Sequence, residues 1–176
     1  MAQGTSAKLK VASLAAATML LGAVVTSALA AAPPKTGAPA PAFSLPVVAN
    51  GNGNLTLQAL RGHAIYLNFF ASWCGPCKQE VPYIGKLSKE YAARNVVVVG
   101  VDELEPADQA KKFAVQYHLP YRVMLDDNGD VGGSYGLIGL PLHVFIARNG
   151  TVAAYRIGEI SELQLRKELQ ALSAEH

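Results

Sequence analysis

Residues 64–94 read AIYLNFFASWCGPCKQEVPYIGKLSKEYAAR. Ala64 to Phe70 form an apolar and aromatic run broken only by Asn68, the pattern of a strand covered on both faces. From Lys78 to Arg94, residues Val81, Ile84, Leu87 and Tyr91 recur at helical spacing. Cys74 and Cys77 stand where the strand passes into the helix. Two intervening residues, Gly75 and Pro76, bring the sulfurs within bonding reach across one turn. Cys74 falls at the helix N-terminus, where unpaired N–H groups and the helix dipole favour thiolate over thiol. Cys77, one turn later, is expected to be the more buried and to resolve a mixed disulfide. An inert crosslink or half of a metal site are the alternatives. The first has no need of Trp73 and Gly75-Pro76; the second must borrow a distant histidine.

On either side of this stretch the chain alternates strands and helices. FSLPVV from Phe43 is a short strand, NGNGN a turn, and LTLQAL a strand or helical turn. VVVVGV (96–101) is a second buried strand, and residues 106–118 form a helix with Pro106 suited to its first turn. YRVMLD is a further strand, and DVGGSYGL a helical turn weakened by glycine. LHVFIA and TVAAYRIG make a hairpin across Arg148-Asn149-Gly150, and SELQLRKELQAL closes as an amphipathic helix with Ser161 as N-cap. The order predicts a single α/β domain, residues 43–176, with one central sheet between helices.

The chain of 176 residues is long enough for one such domain. A 51% hydrophobic, 16% charged composition excludes a disordered polyelectrolyte, and a net charge of +2 excludes a dedicated nucleic-acid binder. Two cysteines exclude both a disulfide-stapled mini-protein and a four-cysteine zinc site. Lys8 and Lys10 account for the whole positive excess, and neither belongs to the domain. They precede Val11–Ala30, where fifteen of twenty residues are apolar and none is charged, ending in Ala28-Leu29-Ala30. This is a bacterial-type export signal or, uncleaved, a membrane anchor; either places the domain outside the cytoplasm. The Pro- and Ala-rich residues 31–42 are expected to be an extended spacer.

Trp73-Cys74-Gly75-Pro76-Cys77 resembles the active-site motif of the thioredoxin superfamily. Gly37 to Leu45, Leu67 to Trp73, Glu80-Val81-Pro82 and Gly139-Leu140-Pro141 resemble its exported TlpA/ResA-like thiol-disulfide oxidoreductases. The resemblance implies a thioredoxin-like fold with an N-terminal extension and a subfamily insert. It also implies that Pro141 is a cis-proline beside the cysteines and that Leu140 offers its backbone to substrate. Leu140 occupies a slot where a small or β-branched residue is more usual. Trp73 is expected at the docking surface, and Pro82 as a structural helix kink. Asn68 replaces the buried Asp of typical thioredoxins, as in the exported subfamily. Another base must then take the proton of Cys77. Glu105 is the residue implied, with Glu103 its competitor. Glu80 is expected to be a solvated or packing feature of its helix, and His63, His118 and His176 carry no chemistry.

The expected activity is reduction of specific extracytoplasmic protein disulfides, apocytochrome c among them, with electrons from a CcdA/DsbD-like membrane donor. No cofactor, no resident metal, no nucleic acid and a monomeric state are expected. A thiol oxidase or isomerase is the runner-up. A copper module built on Cys74, Cys77 and His143 is the non-enzymatic alternative. A peroxidase would need a Pro-x-x-x-Thr-x-x-Cys context that Cys74 lacks.

Overall fold

The computed structural model describes Met1 and residues 32–174. The export or anchor segment lies outside the described residues. Among those described, no helix is long and apolar enough to cross a membrane.

Seven strands form one mixed sheet. They are β1 (Ser44–Ala49), β2 (Asn54–Thr56), β3 (Ala64–Phe70), β4 (Val96–Glu103), β5 (Arg122–Asp126), β6 (Leu142–Ile146) and β7 (Val152–Ile157). The sheet order is β2-β1-β5-β4-β3-β6-β7. β3, β4 and β5 run parallel, and the other pairs are antiparallel. Four helices accompany it: α1 (Gly75–Ala92), α2 (Ala107–Gln116), α3 (Asp130–Ser134) and α4 (Glu162–Ala174). LTLQAL resolves into both expected forms, β2 followed by a 3-10 turn at Gln58–Leu60.

The alternation along β3 explains why the strand is apolar throughout. Tyr66 and Phe70 face a core built with α1, α2 and α4; Ile65, Leu67 and Phe69 face a second core with Phe43, Leu60 and Tyr135. Every residue of β3 is buried. The parallel β3-α1-β4 and β4-α2-β5 connections set α1 and α2 on the same face, and α4 joins them there. Ser161 caps α4 as expected: its Oγ accepts from Gln164 N at 3.2 Å, and the Gln164 side chain returns a bond to Ser161 N at 2.8 Å.

The Pro- and Ala-rich segment is not a spacer throughout. Gly37 N donates to Val152 O at 2.8 Å, Val152 N to Ala38 O at 2.9 Å, and Ala40 N to Gly150 O at 2.9 Å. Residues 37–40 therefore dock on the β6–β7 hairpin, because that end of β7 leaves backbone groups to be paired.

Gly100, at the middle of β4, allows a close approach in the core. A Cβ there would lie 2.9 Å from Phe70 Cε1 and 3.2 Å from Tyr121 Cε2. Phe70 cannot yield freely, since it packs on Phe113 with ring centroids 5.0 Å apart. Gly100→Ala is therefore expected to destabilise the protein by about 1–3 kcal/mol through overpacking. Urea unfolding of the oxidised protein measures this; an unchanged midpoint would contradict the packing described.

Candidate active site

The C-terminal end of β3 delivers the chain to the cysteines. Cys74 is the N-cap of α1, with φ −73° and ψ 110°, and its Sγ accepts the Cys77 N–H at 3.2 Å. The sulfur thus occupies the place where an N-capping oxygen ordinarily sits, on the positive end of an 18-residue helix. Gly75 and Pro76 open the helix, where the missing proline N–H is of no consequence. Cys74 and Cys77 are joined as a disulfide with Cα atoms 5.3 Å apart. Both residues are buried to nearly the same degree, 4% and 3% exposed, so burial does not distinguish them as expected. What distinguishes them is the helix end.

β6 brings the second element. The antiparallel register reaches Phe69↔Leu142, which sets Leu140 and Pro141 alongside the loop leading into the cysteines. The Leu140–Pro141 peptide is cis. Leu140 packs partly against the cluster that contains both cysteines. Trp73 and Ile138 are the large apolar side chains left open here, 66% and 78% exposed.

Glu105 stands against the segment that enters the cysteine motif. Its two oxygens are taken by Ser72, from the backbone N–H at 2.5 Å and from the hydroxyl at 2.6 Å. It ties down the segment entering the cysteine motif. Glu103 points to the other face of the sheet by strand alternation, beside Asp126 and the backbone of Gly132. It is no competitor for the cysteines. Asp102 is fully buried beside Glu105, and neither of its oxygens meets an N–H or O–H donor.

Of the two expectations for Glu80, solvated or packed, the structure shows the packed one. It is 0% exposed, and the buried positions of α1 are Cys77, Glu80, Val81, Ile84, Leu87, Ser88 and Tyr91. The stripe Val81-Ile84-Leu87-Tyr91, continued back one turn, passes through Glu80 and Cys77. That continuation was the available sequence signal. Cys77 and Glu80 share a helix face at i,i+3 spacing. Glu80 Oε1 accepts the Ile160 N–H at 2.8 Å and lies 3.5 Å from His143 Nε2, while Oε2 has no partner. Burial pushes the carboxyl up to about 7, opposed by the Ile160 N–H and aided by the charge of Glu159.

His143 is likewise fully buried, with Tyr66 OH 2.8 Å from Nδ1 and Gly158 O 3.1 Å from Nε2. Both nitrogens are engaged, which leaves no lone pair for the copper reading. Among the described residues, no group of three or more His, Cys, Asp or Glu is arranged to hold a metal ion.

Residues 35–171 match the Redoxin family. The chain belongs to that family. It is 33% identical over 119 residues to the thiol-disulfide oxidoreductase ResA of Bacillus thuringiensis subsp. konkukian, covering 68% of this chain and 69% of the relative. It is 35% identical over 136 residues to the thiol:disulfide interchange protein DsbE of Pseudomonas fluorescens biotype C, covering 77% and 74%. Among solved structures, a Chlorobium tepidum chain described as a DsbE-type thiol:disulfide interchange protein superposes with a TM-score of 0.75 at 31% identity. That match covers 80% of this chain and 99% of the other. With its Cys74–Cys77 pair, the redoxin described here is a thiol-disulfide oxidoreductase of the ResA/DsbE type, on a thioredoxin-like fold.

The buried acids of this redoxin set its pH response. Burial, then the neighbouring Glu105 carboxylate, pushes Asp102 up to about 8; burial, then Asp126, pushes Glu103 up to about 9. With Glu80, these groups hold protons in the folded protein that the unfolded chain has already released. Their contribution is complete below the unfolded carboxylate range of about 4 and is lost as pH rises through the folded values. His143, pushed down to about 4 by burial, is neutral in both states above the unfolded histidine value of about 6.5. The urea midpoint of the oxidised protein is therefore expected to fall steadily between about pH 6.5 and 9. Asp102→Asn with Glu103→Gln should flatten that slope; a midpoint that is flat or rising in the parent protein would contradict the assignment.

Proposed function

We propose that this redoxin works outside the cytoplasm as a reductase of specific protein disulfides, with the disulfide of apocytochrome c, reduced ahead of haem attachment, as the leading substrate class. The observation that carries the proposal is Cys74 at the N-cap of α1, its Sγ accepting the Cys77 N–H, with Leu140 packed against the cluster that holds both cysteines. In the reduced protein the helix end favours the Cys74 thiolate as nucleophile. A substrate segment docks on Trp73 and Ile138 and pairs with the backbone at Leu140. The bulk of Leu140 restricts which side chains can stand against it.

Cys74 S⁻ attacks one sulfur of the substrate disulfide; the other sulfur leaves as a thiolate and takes up a proton. Cys77 then loses its proton and attacks Cys74 Sγ, releasing the second substrate sulfur. The Cys74–Cys77 disulfide forms, and two electrons have passed to the substrate. We assign the proton of Cys77 to Glu80, in place of Glu105, whose oxygens Ser72 occupies. Glu80 shares the helix face of Cys77, and a carboxyl titrating near 7 accepts and returns a proton at neutral pH. Glu105 holds the approach to the motif. A membrane dithiol donor of the CcdA/DsbD type returns the electrons, as an oxidising exterior requires.

Cys77→Ser leaves Cys74 unable to complete the exchange, so mixed disulfides accumulate. Mass spectrometry of the trapped adducts is expected to find exported disulfide proteins, apocytochromes c among them; capture of cytoplasmic proteins alone would overturn the extracytoplasmic reading. Equilibration of the couple with glutathione should give a potential more negative than about −180 mV. A value near about −120 mV would make the protein an oxidase instead.

A further inference from the structure

Asp102 is a buried carboxyl that the thiol exchange does not use, and it stands on the cysteine side of the sheet. Its in-register neighbours are Phe70 on β3 and Leu125 on β5. Paired side chains of neighbouring strands point to one face, and Phe70 faces the core that holds Cys74 and Cys77. Asp102 is 0% exposed, and neither of its oxygens meets an N–H or O–H donor. An ionised Asp102 would therefore be a bare buried charge. The polar group in hydrogen-bonding contact with it is the Glu105 carboxyl, itself buried. Two carboxylates are both acceptors, so a bond between them needs one proton. Glu105 already accepts the Ser72 N–H at Oε2 and the Ser72 hydroxyl at Oε1, as a carboxylate does. Asp102 has no such donors, so the proton belongs on Asp102.

We propose that Asp102 is a positioning residue for the cysteine motif: as a carboxylic acid it donates its hydrogen to Glu105, and Glu105 in turn holds Ser72 through its N–H and its hydroxyl. Ser72 directly precedes the exposed Trp73, and Cys74 follows. The two Ser72 groups, fixed on one carboxylate, fix the direction in which the chain enters α1. The Cys74 N–H, donated to Ala71 O at 3.1 Å, closes the same turn. With the proton present, the two carboxyls share a single negative charge. Without it, two like charges face each other in a buried site, and the Glu105 carboxylate is driven from its place on Ser72. This placement is independent of the direction of electron flow and of the part given to Glu80.

Glu105 is the charge that acts on Asp102, and Asp102 acts in turn on Glu103, which faces the other side of the sheet beside Asp126. The same face of the sheet carries Tyr66 of β3, His143 of β6, Tyr121 before β5, and Glu80 with the two cysteines on α1. α2 brings the apolar Phe113 and Ala114, with Tyr117 at its end. None of these is among the charges that act on Asp102, and no cation among the described residues is. Burial first, and then Glu105, raises the Asp102 carboxyl to about 8. In the folded protein the bond to Glu105 is therefore present on the acid side of that value and is lost as pH rises through it. No covalent bond or electron moves. The proton held by Asp102 is released to solvent.

Carbon-13 NMR titration of the side-chain carboxyls in the oxidised full chain, together with hydrogen exchange of the Ser72 N–H, tests this in the unmodified protein. Asp102 is expected to be a carboxylic acid still at about pH 6. Protection of the Ser72 N–H, corrected for the base-catalysed rate, is expected to fall about tenfold with the same midpoint as the Asp102 titration. An Asp102 already ionised at about pH 6, a proton found on Glu105 instead, or Ser72 protection that ignores the Asp102 titration would overturn the proposal. Two substitutions separate the hydrogen bond from packing. Asp102→Asn keeps a donor and removes the titration, so Ser72 is expected to keep its neutral-pH protection with no fall at higher pH. Asp102→Ala removes the donor and is expected to lower the protection about tenfold at neutral pH, leaving no further step above it. An asparagine variant that behaves like alanine, or one that keeps the alkaline fall, would overturn the proposal. If the alanine variant does not fold, the titration of the unmodified protein and the asparagine variant decide the matter.

Discussion

The contact on which this molecule is organised is the Cys77 N–H held against Cys74 Sγ at the first turn of α1. A helix end exposes N–H groups that must find an acceptor, and here a sulfur is that acceptor. Placing it requires three things of the sheet. β3 must end one short loop before the helix, β6 must bring its cis-proline alongside, and α1 must be pressed onto the sheet so that the end does not fray. The stripe of Val81, Ile84, Leu87 and Tyr91 meets the last requirement by packing against the sheet face shared with α4.

Within that stripe a carboxylic acid occupies a position that elsewhere in the helix is apolar. A buried Glu80 with one unpartnered oxygen weakens the fold at the pH where its proton leaves. The Ile160 N–H donated to Oε1 limits this without abolishing it. A well-hydrated carboxylate would titrate too low to trade protons with a thiol. An apolar residue could not trade them at all. The destabilisation and the proton exchange are two consequences of the same burial.

Much of this was legible in the sequence. The apolar run 64–70 and the heptad-like spacing after Lys78 gave β3 and α1, and Cys-Gly-Pro-Cys at their junction gave the chemistry. Pro141 before an apolar strand is also where the structure puts its cis bond. The acids were harder. Which face of the sheet Glu103 and Glu105 take depends on where β4 ends and which way its pleat turns. A chain position does not reveal that Glu105 would be captured by Ser72, 33 residues earlier in the chain. In the sequence His143 reads only as a metal candidate, because its partners Tyr66 and Gly158 become neighbours through strand pairing and the β7–α4 loop. The docking of residues 37–40 on the hairpin was hidden for the same reason: a Pro- and Ala-rich composition describes local stiffness, and says nothing of an edge waiting elsewhere for backbone partners.

The most direct test of this account is the pH dependence of alkylation in the reduced full chain, with limiting iodoacetamide and the label located by mass spectrometry. Cys74 is expected to be labelled first and with an apparent pKa below about 7.5, while Cys77 stays protected. Labelling of Cys77 ahead of Cys74, or a Cys74 that titrates at the ordinary thiol value of about 8.5, would contradict it.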